Sequence, residues 1–110
     1  MNPLIERNLG AIRQLGRRYG VARLEVFGSV NTAGFDPERS DIDVLVAYPP
    51  GYDYGAWMGR VQDLEAELSE ALGRKVDLVM TSALENRWFR HEANKTREVV
   101  YDASEDAEVA

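Results

Sequence analysis

Apolar positions in the first twenty residues fall at Ile5, Leu9, Ile12, Gly16 and Tyr19, alternating steps of four and three. That spacing is the one-face stripe of an α-helix. It predicts a helix from about Pro3, which suits a first turn, to Tyr19, with Gly20 ending it. The period then changes to two. Over residues 21–27, Leu24 and Val26 face one way and Arg23 and Glu25 the other, which predicts a strand closing at Gly28. Asn31, Gly34, Asp36 and Pro37 mark residues 29–40 as a loop with at most one short helical turn. Residues 41–47 read as a second strand, stopped by Tyr48-Pro49-Pro50-Gly51. A helical stripe follows at Trp57, Val61, Leu64, Leu68 and Leu72, with Asp53 as its cap and Gly73 past its end. Residues 75–80 alternate again, with Val76, Leu78 and Met80 on one face. Ser82-Ala83-Leu84-Glu85 has capping-box spacing and predicts a last helix carrying Leu84, Trp88 and His91. Val99-Val100-Tyr101 fits a short strand or a helix end, and residues 103–110 fit a frayed acidic tail.

The order α-β-β-α-β-α defines an α+β fold, a small mixed sheet covered on one side by amphipathic helices, with residues 1–102 as a single domain. The stretch around the long helix is what a crossover between parallel strands requires. Strand three should therefore lie parallel to strand two through a right-handed connection. Asp77 then comes to the same sheet edge as Asp41 and Asp43. An antiparallel first strand would bring Gly28-Ser29 there as well.

Composition narrows the chemistry. A chain of 110 residues with 45% hydrophobic and 29% charged residues suits one small core. There is no Cys, so any metal must be held by oxygen ligands or the one His. No apolar run approaches a membrane span, and the start lacks a signal-peptide core, so the expected location is the cytoplasm and no membrane partner is expected. Asn94-Lys95-Thr96 is a chance sequon on that reading. The net charge of −6 argues against general nucleic-acid binding, which needs a basic surface. Arg7, Arg13, Arg17, Arg18 and Arg23 stand against one acid, Glu6, in residues 1–24. They read as a solvated helix face first, and as a surface for an acidic partner or a triphosphate second.

Asp41 and Asp43 are two apart in a strand and so share one face. Like charges side by side are unfavourable unless a cation or a shared proton offsets them. Mg²⁺ takes one or two protein carboxylates together with phosphate oxygens and water. Asp41 and Asp43 are thus candidate bridges from metal to a nucleoside triphosphate. Asp77 would complete a second metal position and help deprotonate an incoming hydroxyl, two ions about 3.5–4 Å apart being able to clamp both oxygens of an in-line displacement. Gly28 lets a backbone approach phosphate closely, Ser29 offers a hydroxyl, and the N–H groups of such a turn form an anion-binding concavity. Either element alone is ordinary: a turn, or a solvated strand end. Their combination in this order is not. Trp57 and Trp88 read as core anchors, His91 as a surface residue, and the Tyr48–Tyr52 turn as a connector.

The segment Val26-Phe27-Gly28-Ser29, with Pro37-Glu38-Arg39-Ser40-Asp41-Ile42-Asp43-Val44-Leu45-Val46, resembles the minimal nucleotidyltransferases of the DNA polymerase beta superfamily. Lys75-Val76-Asp77-Leu78-Val79 is similar to that family's third-carboxylate strand, and Arg97-Glu98-Val99-Val100-Tyr101 to its usual ending. The resemblance spans about residues 5–101. It implies a nucleotidyltransferase fold, Mg²⁺, and transfer of a nucleoside monophosphate from a triphosphate with loss of pyrophosphate. Many small members act as antitoxins that attach AMP from ATP to a tyrosine of a helical HEPN-domain toxin. By that resemblance Asp41 and Asp43 are the metal ligands, Asp77 the third carboxylate and Gly28-Ser29 the triphosphate site. Two other readings stand beside it: an inactive relative that neutralises its partner by contact, and nucleotidyl transfer to a small molecule. The chain departs from the family at two points. Eleven residues, 30–40, separate Ser29 from Asp41, one more than usual, and Val30-Asn31 replaces a frequent Arg.

Overall fold

Four strands form one mixed sheet in the order β3-β2-β1-β4: β1 (Arg23–Phe27), β2 (Ile42–Ala47), β3 (Val76–Met80) and β4 (Glu98–Asp102). The computed structural model describes residues 1–106. β2 runs parallel to β3, and β1 runs antiparallel to both β2 and β4. The register pairs Phe27 with Asp43 and Asp43 with Asp77, so a single row across three strands ends in acids. The residues from Val99 to Tyr101, undecided from their pattern alone, are strand.

Alternation sorts the side chains onto two faces. Leu24, Val26, Ile42, Val44, Val46 and Val76 form the larger core with Ile5, Ile12, Leu15, Leu64, Leu68 and Leu72. These last six come from α1 (Pro3–Arg7), α2 (Leu9–Tyr19) and α3 (Gly59–Leu72). Each such side chain fully buried contributes about 1.5–3 kcal/mol, so this layer dominates the stability. The opposite face is not bare, as a one-sided covering would leave it. Phe27 and Leu45 pack there with Val79, Phe89 and Ala93, the last two from α4 (Arg87–Asn94). Phe27 and Phe89 meet edge to face, ring centres 5.6 Å apart.

Local polar groups explain where the helices differ from the expected spans. The first helix breaks because Asn8 Nδ2 donates to the Leu4 carbonyl at 2.8 Å, the acceptor that its own backbone N–H would use in an unbroken helix. That N–H turns to Ile5 O instead, at 3.0 Å. Asp53 does not cap the long helix. Its Oδ1 accepts the Gly55 N–H at 2.8 Å, closing a local turn. Trp57 and Met58 then adopt left-handed φ values of 56° and 59° before α3 begins. Trp57 is 92% exposed, and Trp88 is 73% exposed, so neither is a core anchor. At α4 the cap is Asn86, whose Oδ1 accepts the Phe89 N–H at 3.0 Å, and residues Thr81–Glu85 form a 3-10 turn ahead of it. That offset moves the packing face from Trp88 to Phe89 and Ala93.

Side chains engage part of the pairing groups on both sheet edges. Ser69 Oγ and Glu65 Oε2 accept the N–H groups of Val76 and Leu78 on β3, at 3.0 and 2.8 Å. Arg13 Nε donates to Val100 O on β4 at 3.3 Å. Tyr101 lies against Gly16, where a Cβ would come within 2.6 Å of the ring. Much of the Arg-rich first segment is taken up internally: Arg17 Nη2 donates to Asp106 Oδ1 at 3.0 Å and Arg18 pairs with Glu67 at 3.0 Å. Ala103 N–H donates to Ala22 O at 3.0 Å and opens a 3-10 turn, so residues 103–106 fold back on the sheet. The rest of the expected tail, 107–110, lies outside the described residues. Among the described residues no helix is long and apolar enough to cross a membrane.

Candidate active site

The C-terminus of β1 and the N-termini of β2 and β3 meet at one sheet edge, bringing Gly28, Asp43 and Asp77 together, with Asp41 immediately before β2. Gly28 has φ +76°, a left-handed value that turns the chain out of the strand into a 3-10 turn, Gly28–Asn31. A Cβ at that position would stand 2.6 Å from Asp43 Oδ2. Both backbone and space therefore require glycine there. Val30 is buried and anchors the turn, while Ser29 is partly exposed.

Asp43 is partly buried. Burial, then the neighbouring Asp77, then Asp41 push its carboxyl above the ordinary carboxylate range. Asp41 and Asp77 each face the ammonium of Lys75, which lies 3.8 Å from Asp41 Oδ2 and 3.6 Å from Asp77 Oδ1. Lys75 is placed by the ladder itself, its carbonyl accepting the Ile42 N–H at 2.9 Å. Among the described residues no three Asp, Glu or His side chains are grouped tightly enough to enclose an ion unaided. Two hard oxygen donors do suit a divalent cation that completes its shell with phosphate and water. The repulsion from Asp77 and Asp41, which adds to burial in raising the Asp43 pKa, is what such a cation would relieve. His91 is exposed on α4 and joins no carboxylate cluster among the described residues.

The family model of the nucleotidyltransferase domain matches residues 9–105. The chain belongs to that family. It is 36% identical over 89 residues to the protein adenylyltransferase MntA of Thermococcus cleftensis, covering 81% of this chain and 82% of that one. A solved structure provisionally assigned as a minimal nucleotidyltransferase superposes with a TM-score of 0.67 at 31% identity, covering 86% of this chain and 90% of that one. A tri-AMPylated HEPN toxin of Shewanella oneidensis in complex with MNT antitoxin gives a TM-score of 0.62 at 21% identity, over 94% of this chain and 77% of that one. The last is a likeness of fold.

This nucleotidyltransferase domain handles its two departures with residues that the motif did not indicate. The longer loop closes on itself: Arg39 and Ser40 N–H groups donate to Asp36 O at 3.1 and 2.8 Å, and Asp36 N–H donates to Ser40 Oγ at 2.9 Å. Arg74 then clamps it, donating from Nη1 to Glu38 O at 2.8 Å and from Nη2 to Ser40 O at 3.0 Å. The loop thus ends in a closed turn next to Asp41. Asn31, near the position of the frequent Arg, donates from Nδ2 to Thr96 O at 2.7 Å. Thr96 Oγ1 in turn accepts the Gly28 N–H at 2.8 Å. Beside it Arg97 forks onto Glu25, Nε to Oε1 at 3.0 Å and Nη2 to Oε2 at 2.7 Å. Glu25 is only 5% exposed, on the face opposite Leu24 and Val26. A lone acid amid the apolar positions of β1 was the one available signal for this pair.

Proposed function

We propose that this chain is a cytoplasmic, Mg²⁺-dependent enzyme that transfers AMP from ATP to a hydroxyl of a partner protein, a tyrosine of a HEPN-type toxin, and so serves as an antitoxin. The observation that carries the reading is the register that seats Asp43 opposite Asp77 while Gly28 clears the space beside Asp43. The identity to a named protein adenylyltransferase supports the acceptor class, and the fold shared with the HEPN–MNT complex supports the partner.

In this reading Asp41 and Asp43 would hold the divalent metal together with phosphate oxygens and water, and Asp77 would complete a second metal position. When bound, the metal offsets the charge of the triphosphate and makes the α-phosphorus more electrophilic. Gly28 admits a phosphate close to the main chain, and the Ser29 hydroxyl donates to a phosphate oxygen. Asp77 takes the proton of the tyrosine hydroxyl as its oxygen bonds to the α-phosphorus. The bond from that phosphorus to the bridging oxygen breaks, and pyrophosphate leaves.

Incubation with the partner, Mg²⁺ and α-labelled ATP tests this. The expected result is label on a toxin tyrosine, lost in its Tyr→Phe variant. No label under saturating ATP would sink protein adenylylation. A contact-only antitoxin is favoured by one observation: Asn31 is engaged with Thr96 and supplies no cation to a triphosphate. On that reading the Asp41→Ala, Asp43→Ala double variant protects cells as well as the parent does. Loss of protection with the complex intact excludes it.

A further inference from the structure

The turn Gly28–Asn31 is gripped from behind by the corner that joins α4 to β4. Thr96 holds both of its ends. Its hydroxyl oxygen accepts the Gly28 N–H at 2.8 Å, and its carbonyl accepts Asn31 Nδ2 at 2.7 Å. Asn31 Nδ2 also reaches Val26 O at 3.4 Å, tying the same turn to the end of β1.

The corner that presents Thr96 is itself well anchored. The N–H groups of Thr96 and Arg97 both donate to Ala93 O, at 3.1 and 2.9 Å. Arg97 adds its two bonds to the buried Glu25 and a third, from Nη1 to Asn94 Oδ1 at 2.9 Å. Ala93 is packed in the smaller core against the second face of the sheet. A sheet strand, a partly buried ion pair and a helix C-terminus thus converge on one hydroxyl.

Glycine has little intrinsic preference between left- and right-handed backbone, so Gly28 needs an outside constraint to keep φ near +76°. The Thr96 hydroxyl supplies it. The same bond engages the Gly28 N–H, which leaves the Ser29 side and the outer surface of the turn to meet phosphate. We infer that Thr96 is the positioning residue of the triphosphate turn, setting Gly28–Ser29 against Asp43 without touching the nucleotide. This rests on the nucleotidyltransferase reading of that turn.

The test is titration of the unmodified chain and two variants with a non-hydrolysable ATP analogue and Mg²⁺, alongside steady-state transfer. Thr96→Val keeps the shape and removes the acceptor, so it should weaken analogue binding about tenfold and raise the KM for ATP in step, while kcat changes much less. Thr96→Ser should stay within about twofold of the parent. Amide exchange at Gly28 should quicken in Thr96→Val and stay slow in Thr96→Ser. Parent-like affinity in Thr96→Val overturns the inference, as does a Thr96→Ser variant equally impaired. Should Thr96→Val fail to fold, Asn31→Ala removes the other grip, and parent-like analogue affinity in that variant overturns the inference. A parent chain that does not bind the analogue overturns the nucleotidyltransferase reading instead.

Discussion

The two faces of the sheet are built from the same strands by opposite rules. Under α1, α2 and α3 every inward position is apolar, from Leu24 and Val26 through Ile42, Val44 and Val46 to Val76. On the other face Phe27, Leu45 and Val79 share the strands with Glu25, Asp43 and Asp77, and α4 covers only part of it. One face is shaped by burial alone. On the other, the charges are answered unequally: Arg97 for Glu25, Lys75 for Asp77, and for Asp43 only burial and the repulsion of Asp77 and Asp41. A group left unanswered in this way is where a bound cation gains most, so the face that contributes less to stability is the one able to do chemistry.

Asp43→Asn gives the largest expected separation between the faces. Label transfer should fall below detection while the fold becomes more stable at neutral pH, by on the order of a few degrees in Tm. The sign follows from linkage. The folded pKa of Asp43 is raised, so the folded chain is favoured while Asp43 is protonated and loses that advantage as pH rises through the raised value. The variant's gain should therefore be present at neutral pH and fade as pH falls through the carboxylate range, which thermal melts along a pH series will check. A variant no more stable than the parent at neutral pH would mean that neither burial nor the neighbouring acids penalise the Asp43 carboxylate.

Leu68→Ala reverses the pattern. Leu68 is buried on the larger face, and its truncation should cost about 2–5 kcal/mol by denaturant melts, with activity per folded molecule retained. Arg97→Met falls between the two. It leaves buried Glu25 with only the longer Arg23 contact, 3.6 Å, and should cost up to about 3 kcal/mol, less than for a fully buried pair because Arg97 keeps some exposure. Unlike Leu68→Ala, it should also weaken nucleotide binding, through the corner that holds Thr96. Trp57→Ser is the smallest effect. A side chain this exposed should change stability by under about 0.5 kcal/mol, and a large loss would restore Trp57 to the core.

Where the chain was legible, it was through period and parity. The steps from Ile5 to Tyr19, the alternation in β1 to β3 and the endings at Gly20 and Gly73 all follow from local geometry. Both of those glycines take left-handed φ, 66° and 65°. Where it misled, one side chain competed with the pattern: Asn8 took a helix carbonyl, and Asp53 closed a turn instead of capping. For Trp57 and Trp88 the spacing was helical, but the helix starts later or turns by one residue, which no periodicity reveals.

The candidate site divides the same way. Strand order and spacing sufficed to expect Asp41, Asp43, Asp77 and Gly28-Ser29 at one edge, because alternation and a parallel crossover constrain backbone placement. They carried no information about Arg74 clamping the longer loop, Lys75 standing between two acids, or Thr96 bonded to Gly28. Apart from Lys75 to Asp77, those are contacts between residues 34 to 68 positions apart, where only the packed sheet determines which polar group meets which. Amino-acid order by itself determined the elements and the acidic edge, since both arise from local periodicity. How that edge is held, and what its turn can offer a phosphate, was decided by tertiary structure, because a hydrogen bond forms only where the fold brings donor and acceptor within about 3 Å.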